Sequence, residues 1–129
     1  SSLTHLDPIP ASDHWLISSL ELLYRGPLDK LQSQGPTPAR RFSAGPTHFY
    51  YAKGRQLLQQ SLAGGSPETL FTCPEGSLSF PLYTSRGILI TQEDSTENRL
   101  WLVDSDTKKA VSLWHASDEW IYACAAQAD

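Results

Sequence analysis

From residue 13 onward the apolar positions recur at helical spacing. In DHWLISSLELLYR, residues 13–25, Leu16, Leu20, Leu23 and Tyr24 fall three and four apart and form one stripe, flanked by Trp15 and Ile17. Ser12 or Asp13 can accept from the open amides of a first turn, and Gly26-Pro27 stops the element. The spacing predicts a helix over 13–25. A second helix is predicted over 48–63, HFYYAKGRQLLQQSLA, with Thr47 as its cap and Tyr50, Leu57, Leu58 and Leu62 on a shared face. Gly54 inside it costs about 1 kcal/mol against alanine and marks a kink or a close helix–sheet contact.

After Pro67 the period changes from helical to alternating. Strands are predicted at 69–73, at 77–82 with Leu78, Phe80 and Leu82 alternating, at 88–92, 99–104, 110–115 and 119–125. Pro74, Gly76, Gly87 and the run DSDTKK supply turns. Pro81 cannot donate to a ladder, so its strand is an edge or carries a bulge. The stretch 99–125 holds Trp101, Trp114 and Trp120, aromatic residues suited to a pleated, half-buried surface.

Helices followed by strands imply an α+β fold: two main N-terminal helices packed on one face of a five- to six-stranded antiparallel sheet. The expectation is one domain over 1–129. Residues 1–12 form an extended N-terminal arm, and 13–66 a helical part interrupted by a Gly/Pro-rich loop at 26–47. Residues 67–125 form the antiparallel sheet. No internal repeat is evident.

Composition places the chain among globular domains. Of 129 residues, 40% are hydrophobic and 19% charged, too apolar for disorder and long enough for one core. No apolar run approaches a membrane span, and no leader pattern is visible. A soluble protein is expected, with the cytoplasm favoured over export. The absence of methionine points to a processed, trimmed or excised chain. The net charge of −4 argues against nonspecific nucleic-acid binding. The charge is uneven, +2 over residues 1–65 and −6 over 66–129, so the half read as sheet is the acidic half.

Candidate chemistry is sparse. There is no phosphate-binding glycine loop and no nucleophile elbow. The four histidines are far apart and no C-x-x-C occurs, so neither a metal nor another cofactor is expected. Cys73, His115 and Asp118 are the residue types of a thiol mechanism, but nothing requires them to meet, and no catalytic residue is assigned. Cys73 and Cys124 form a disulfide candidate. Arg40-Arg41, the one doubled arginine, is a candidate anion contact. Glu93, Asp94 and Glu97 make an acidic loop.

These features point to a non-catalytic protein-binding module, such as an inhibitor, an immunity or antitoxin-like protein, or an assembly subunit. It would bind another protein, one with a basic surface, through an acidic aromatic sheet. Trp101, Trp114 and Trp120 would anchor the contact, and Glu93, Asp94 and Glu97 would steer it. A homodimer is compatible with this. The alternatives are a small-ligand-binding domain with helices over a curved sheet, and a small hydrolase or transferase with an unrecognised site in the middle loop.

Overall fold

The computed structural model describes residues 3–79, 81–95 and 97–116. Among them there is no helix. Strands follow one another through the chain and build three separate antiparallel sheets. The first sheet is β1 (Leu3–Pro8), β2 (His14–Ser19), β3 (Leu22–Pro27) and β4 (Gln32–Pro36), in that spatial order. The second is β5 (Ser43–Ala44), β6 (His48–Lys53), β7 (Gln56–Ser61) and β8 (Glu68–Thr72). In the third, β9 (Ser77–Leu78) and β10 (Leu82–Thr84) both pair with β11 (Gly87–Glu93), followed by β12 (Asn98–Val103) and β13 (Ala110–Ala116). Strands β9 and β10 are two pieces of one edge strand, interrupted where Pro81 falls.

The α+β expectation is therefore wrong: both predicted helices are hairpins. In 13–25, Ser19 ends β2 and its hydroxyl accepts from the amides of Leu22 (3.0 Å) and Glu21 (3.4 Å). That local bonding favours a turn over a helix. Leu16 and Leu23 sit on neighbouring strands and enter one core, while Leu20 is at the hairpin tip, 51% exposed. The helical stripe was a coincidence of hairpin geometry. In 48–63, Gly54-Arg55 is a two-residue hairpin loop between the paired residues Lys53 and Gln56. Gly54 has φ +63, as such tight turns require at this position. The N-terminal arm contains strand β1, and the 26–47 loop contains the end of β3 and all of β4 and β5. The run 69–73 closes the second sheet instead of opening a single C-terminal one. The strand predicted at 119–125 lies outside the described residues.

Why the second hairpin resembled a helix follows from its packing. Alternate residues of a strand face opposite sides of its sheet. Phe49, Tyr51 and Leu58 pack with Ile9, Leu16 and Leu23 of the first sheet. Tyr50, Leu57, Leu70 and Cys73 pack the other way, with Leu78, Ile88, Ile90 and Val103 of the third. The second sheet thus buries apolar side chains on both faces, and adjacent apolar pairs such as Phe49-Tyr50 and Leu57-Leu58 show no period of two. Phe49 stacks on Tyr51 (5.8 Å between ring centroids) on one side, and Tyr50 on Tyr83 (6.0 Å) on the other.

The three sheets share one register. Trp15, Phe49 and Ile88 are equivalent, each opposite the second residue of a first-strand pair: Pro8, Ala44 and Tyr83. Leu16, Tyr50 and Leu89 follow, then Ile17, Tyr51 and Ile90. From the first sheet to the second the offset is constant: Trp15 to Phe49, Leu16 to Tyr50, Leu23 to Leu57 and Tyr24 to Leu58 are each 34 residues apart. A repeat is present after all. It is carried by the burial pattern and not by residue identity.

The first strands sit together at one edge of the stack, with β5 touching both β1 and β10. A side chain from each reaches the backbone of the next. Asp7 Oδ2 accepts from the Ala44 amide (2.8 Å), and Ser43 Oγ accepts from the Tyr83 amide (2.8 Å). Asp7 and Ser43 are equivalent positions, as are Ala44 and Tyr83. These bonds satisfy amides on the free edge of each sheet, which water would otherwise have to serve. The Arg25 guanidinium adds a bond to the Leu62 carbonyl. Consecutive four-stranded meanders stacked face to face with their first strands together is the arrangement of neighbouring blades in a β-propeller.

Leu57 is fully buried and Leu58 nearly so, yet they face different interfaces. Leu57→Ala and Leu58→Ala should each cost about 2–5 kcal/mol in urea unfolding. Leu20→Ser, at the hairpin tip, should stay within about 0.5 kcal/mol. A helical 13–25 and 48–63 would make Leu20 and Leu58 comparable.

Candidate functional site

Among the described residues, apolar side chains that do not pack between two sheets lie on the outer faces of the first and third sheets. On the outer face of the third sheet the register lines up Leu82, Leu89, Leu102 and Val111 across four strands. Leu100 and Trp114 are paired beside that row. Val111 is 56% exposed and Trp114 47%. A bulge between Leu100 and Trp101 leaves Leu113 as an extra exposed apolar residue there. The residues equivalent to Leu89 and Leu100 in the second sheet are Tyr50 and Leu57, both buried against a neighbour.

The first sheet repeats this at the opposite end. Its outer face carries Leu6, Ile17 and Tyr24 in one row, with Ile17 buried, and Trp15 opposite Pro8 in the next. Leu6 is 52% exposed, while its equivalent in the second sheet, Phe42, is 2% exposed. Trp15 and Tyr24 are half-buried where Phe49 and Leu58 are buried.

The residues predicted to bind a partner are not brought to one surface. Trp101 faces the interior between the second and third sheets, its ring 4.9 Å from Phe71. Its indole N–H donates to Gln92 Oε1 (2.8 Å), and the Gln92 amide donates to the Glu75 carbonyl (2.9 Å). That chain serves a buried polar side chain. Trp114 is on the outer face, and Trp120 lies outside the described residues. Glu93 ends β11, and Asp94 Oδ1 accepts from the Glu97 amide (2.7 Å) to close the turn. Glu97 is paired with Arg99 at 2.8 Å. The third sheet is also not itself strongly acidic. Over 77–116, Arg86, Arg99, Lys108 and Lys109 nearly balance Glu93, Asp94, Glu97, Asp104 and Asp106.

Sequence reasoning missed the leucine row. Strand alternation pointed to both faces of β12, but the partners across β10, β11 and β13 needed the register. Leu6, Trp15 and Tyr24 were assigned to an arm and a helix. The 34-residue recurrence of apolar pairs was the available signal.

Arg40 and Arg41 line a cleft of about 380 Å³ with Lys53, Ala52, Leu78 and Ser79. The Arg40 carbonyl is anchored by the hydroxyls of Ser18 (3.1 Å) and Thr4 (3.3 Å), which fixes where the linker crosses from the first sheet to the second. The three cationic side chains therefore share one opening.

Cys73 is fully buried in the core between the second and third sheets, and its thiol donates to the Glu75 carbonyl (3.1 Å). Burial raises its pKa, against smaller opposing effects from Arg55 and backbone bonds. A thiol kept protonated and covered is a poor nucleophile. Cys124 and Asp118 lie outside the described residues. Among the described residues no three His, Cys, Asp or Glu side chains are grouped to hold a metal ion, and no helix is long and apolar enough to cross a membrane.

No protein-family model matches this chain, and no curated protein matches it.

The buried position of Cys73 has a direct test. In a Cys124→Ser variant at pH 8, a chromogenic disulfide reagent should react slowly with the folded protein and rapidly after denaturation. Because the folded pKa is raised, native reactivity should keep rising above the pH at which an unfolded thiol has levelled off. Labelling of the native protein at the free-thiol rate would mean that Cys73 is accessible.

Proposed function

We propose that this chain is a non-catalytic protein-binding module of the assembly-subunit kind, with the outer face of the third sheet as its contact surface. The apolar row Leu82–Leu89–Leu102–Val111, half-buried except for the exposed Val111 and flanked by the exposed Leu113 and Trp114, carries this reading. Contiguous exposed apolar surface of this sort typically serves an interface, and tryptophan is a frequent anchor at interface centres. Glu93, Asp94 and Glu97 sit at one end of the same sheet. There they would act as a polar rim that guides approach without supplying much affinity.

A second reading draws on the cleft holding Arg40, Arg41 and Lys53. Three cations around one opening suit a small anionic ligand. Stabilisation by inorganic phosphate in thermal denaturation, lost in Arg40→Ala, would favour it.

The main reading is tested by capture on immobilised protein. Proteins retained by the wild-type chain should be lost on a Trp114→Asp column, although that substitution leaves the melting temperature nearly unchanged. Against a retained partner, Trp114→Ala should chiefly speed dissociation, and Glu93→Gln should chiefly slow association and flatten its salt dependence. Retention unchanged by Trp114→Asp would move attention to the cationic cleft.

A further inference from the structure

The geometry points to a binding groove for a small organic acid at the outer rim of the junction between the first and second sheets, with the acid's carboxylate on the Arg25 guanidinium. The groove is separate from the apolar outer face of the third sheet and from the cleft at Arg40. Three observations lead to it.

The first is the opening itself. Two clefts of about 430 and 340 Å³ meet at His14 and Arg25, and a narrow third runs from Arg25 inward to Leu16 and Phe49. Arg25 is the ladder partner of Leu16, so it lies on the face of the first sheet that meets the second. Lys30, Gln32 and Gln34 line the first sheet's side, and Gln60, Ser61 and Leu62 the second's. Among the described residues, no aspartate or glutamate lines any of the three clefts. Asp13, 3.6 Å from His14 Nε2, is outside the lining.

The second is the Arg25 fork. Arg25 is half-buried and donates through Nη1 to the Leu62 carbonyl across the junction. That bond holds the guanidinium in place. Its other N–H groups have no acceptor among the described residues. A planar guanidinium already held on one side presents its remaining donors ready for a carboxylate, at a reduced ordering cost.

The third is the next junction, which shows the group that belongs at this place. Arg25 is opposite Leu16 and Gln32. At the equivalent positions of the second sheet, Gln59 is opposite Tyr50 and Glu68. There the carboxylate is part of the chain. One Glu68 oxygen accepts from Gln59 (2.7 Å) and the other from Lys108 of the third sheet (2.6 Å), so one carboxylate joins two sheets. At the first junction that position is the uncharged Gln32. The donor equivalent to Gln59 is the cation Arg25, and Lys30 lines the same cleft. The donors are kept and the acceptor is missing. A carboxylate from outside, seated beside Gln32, supplies it. The clefts are larger than a carboxylate, and beyond the cations much of their lining is amide and hydroxyl. The acid therefore carries a polar, hydroxylated body, the chemistry of a sugar acid.

Side-chain nitrogen NMR tests this while glucuronate, glucose or sulfate is added at constant ionic strength. Glucuronate should give saturable shifts at the Arg25 Nε–H and at the Gln32 and Gln34 amides. Glucose at the same concentration should give none. Arg25→Lys keeps the charge and loses the fork, and should weaken glucuronate about tenfold. Gln32→Glu restores the internal carboxylate of the second junction. It should abolish saturation and raise the melting temperature by about 1–2 °C. That variant keeps the Arg25–Leu62 bond, so it tests the groove even if Arg25→Lys fails to fold. Undiminished glucuronate binding by Gln32→Glu would overturn the site. So would shifts centred on Lys53 and Ser79, which line the other cleft. Sulfate binding as tightly as glucuronate would overturn the carboxylate as the ligand class.

Discussion

The second sheet has no solvent face, and the rest of the molecule follows from that. Phe49, Tyr51 and Leu58 on one side and Tyr50, Leu57 and Leu70 on the other must all leave water. A sheet apolar on both sides is stable only between two others. The first and third sheets are those others. Each contributes one apolar face inward: Leu16 and Leu23 from one, Ile88, Ile90 and Val103 from the other. Burial at these two junctions is the main source of cohesion, with no helix among the described residues to cover either face.

Polar groups then fix how the sheets sit on each other. Burial is non-directional and would tolerate sliding. The bonds from Asp7 to the Ala44 amide and from Ser43 to the Tyr83 amide are directional and fall at equivalent points of the stack. The Trp101–Gln92–Glu75 chain does the same farther out, using the indole of a large apolar residue as a donor. At the exposed rim Lys108 bonds Glu68 at 2.6 Å and holds its carboxyl below the usual range. An open pair like that adds little cohesion. It marks where the β12–β13 hairpin approaches β8.

The same construction explains why the ends of the stack are apolar. A sheet that repeats its neighbours' register repeats their faces, so the outer faces of the first and third sheets also carry apolar side chains. Stacked-repeat proteins ordinarily place a polar face at such ends. Here Leu6, Val111 and Trp114 stay exposed. The acidic character of the C-terminal half does not offset this, since within the third sheet positive and negative side chains nearly balance.

The sequence by itself determined the later strands, the turns at Gly76, Gly87 and 104–109, and the break at Pro81. In those stretches β-branched and aromatic runs are bounded by explicit turn chemistry. The sequence misled at 48–63, where a hairpin buried on both faces has no polar phase to reveal its period, and at 13–25, where the outer face is itself apolar through Trp15, Ile17 and Tyr24; apolar residues in both phases satisfy a helical stripe too. Which residues share a surface was decided only by tertiary structure. Trp101 and Trp114 lie on adjacent strands in a similar local sequence, yet a one-residue bulge and the position of the second sheet partly bury one and expose the other. Face assignment depends on register, register depends on which strands pair, and pairing is a property of the whole stack.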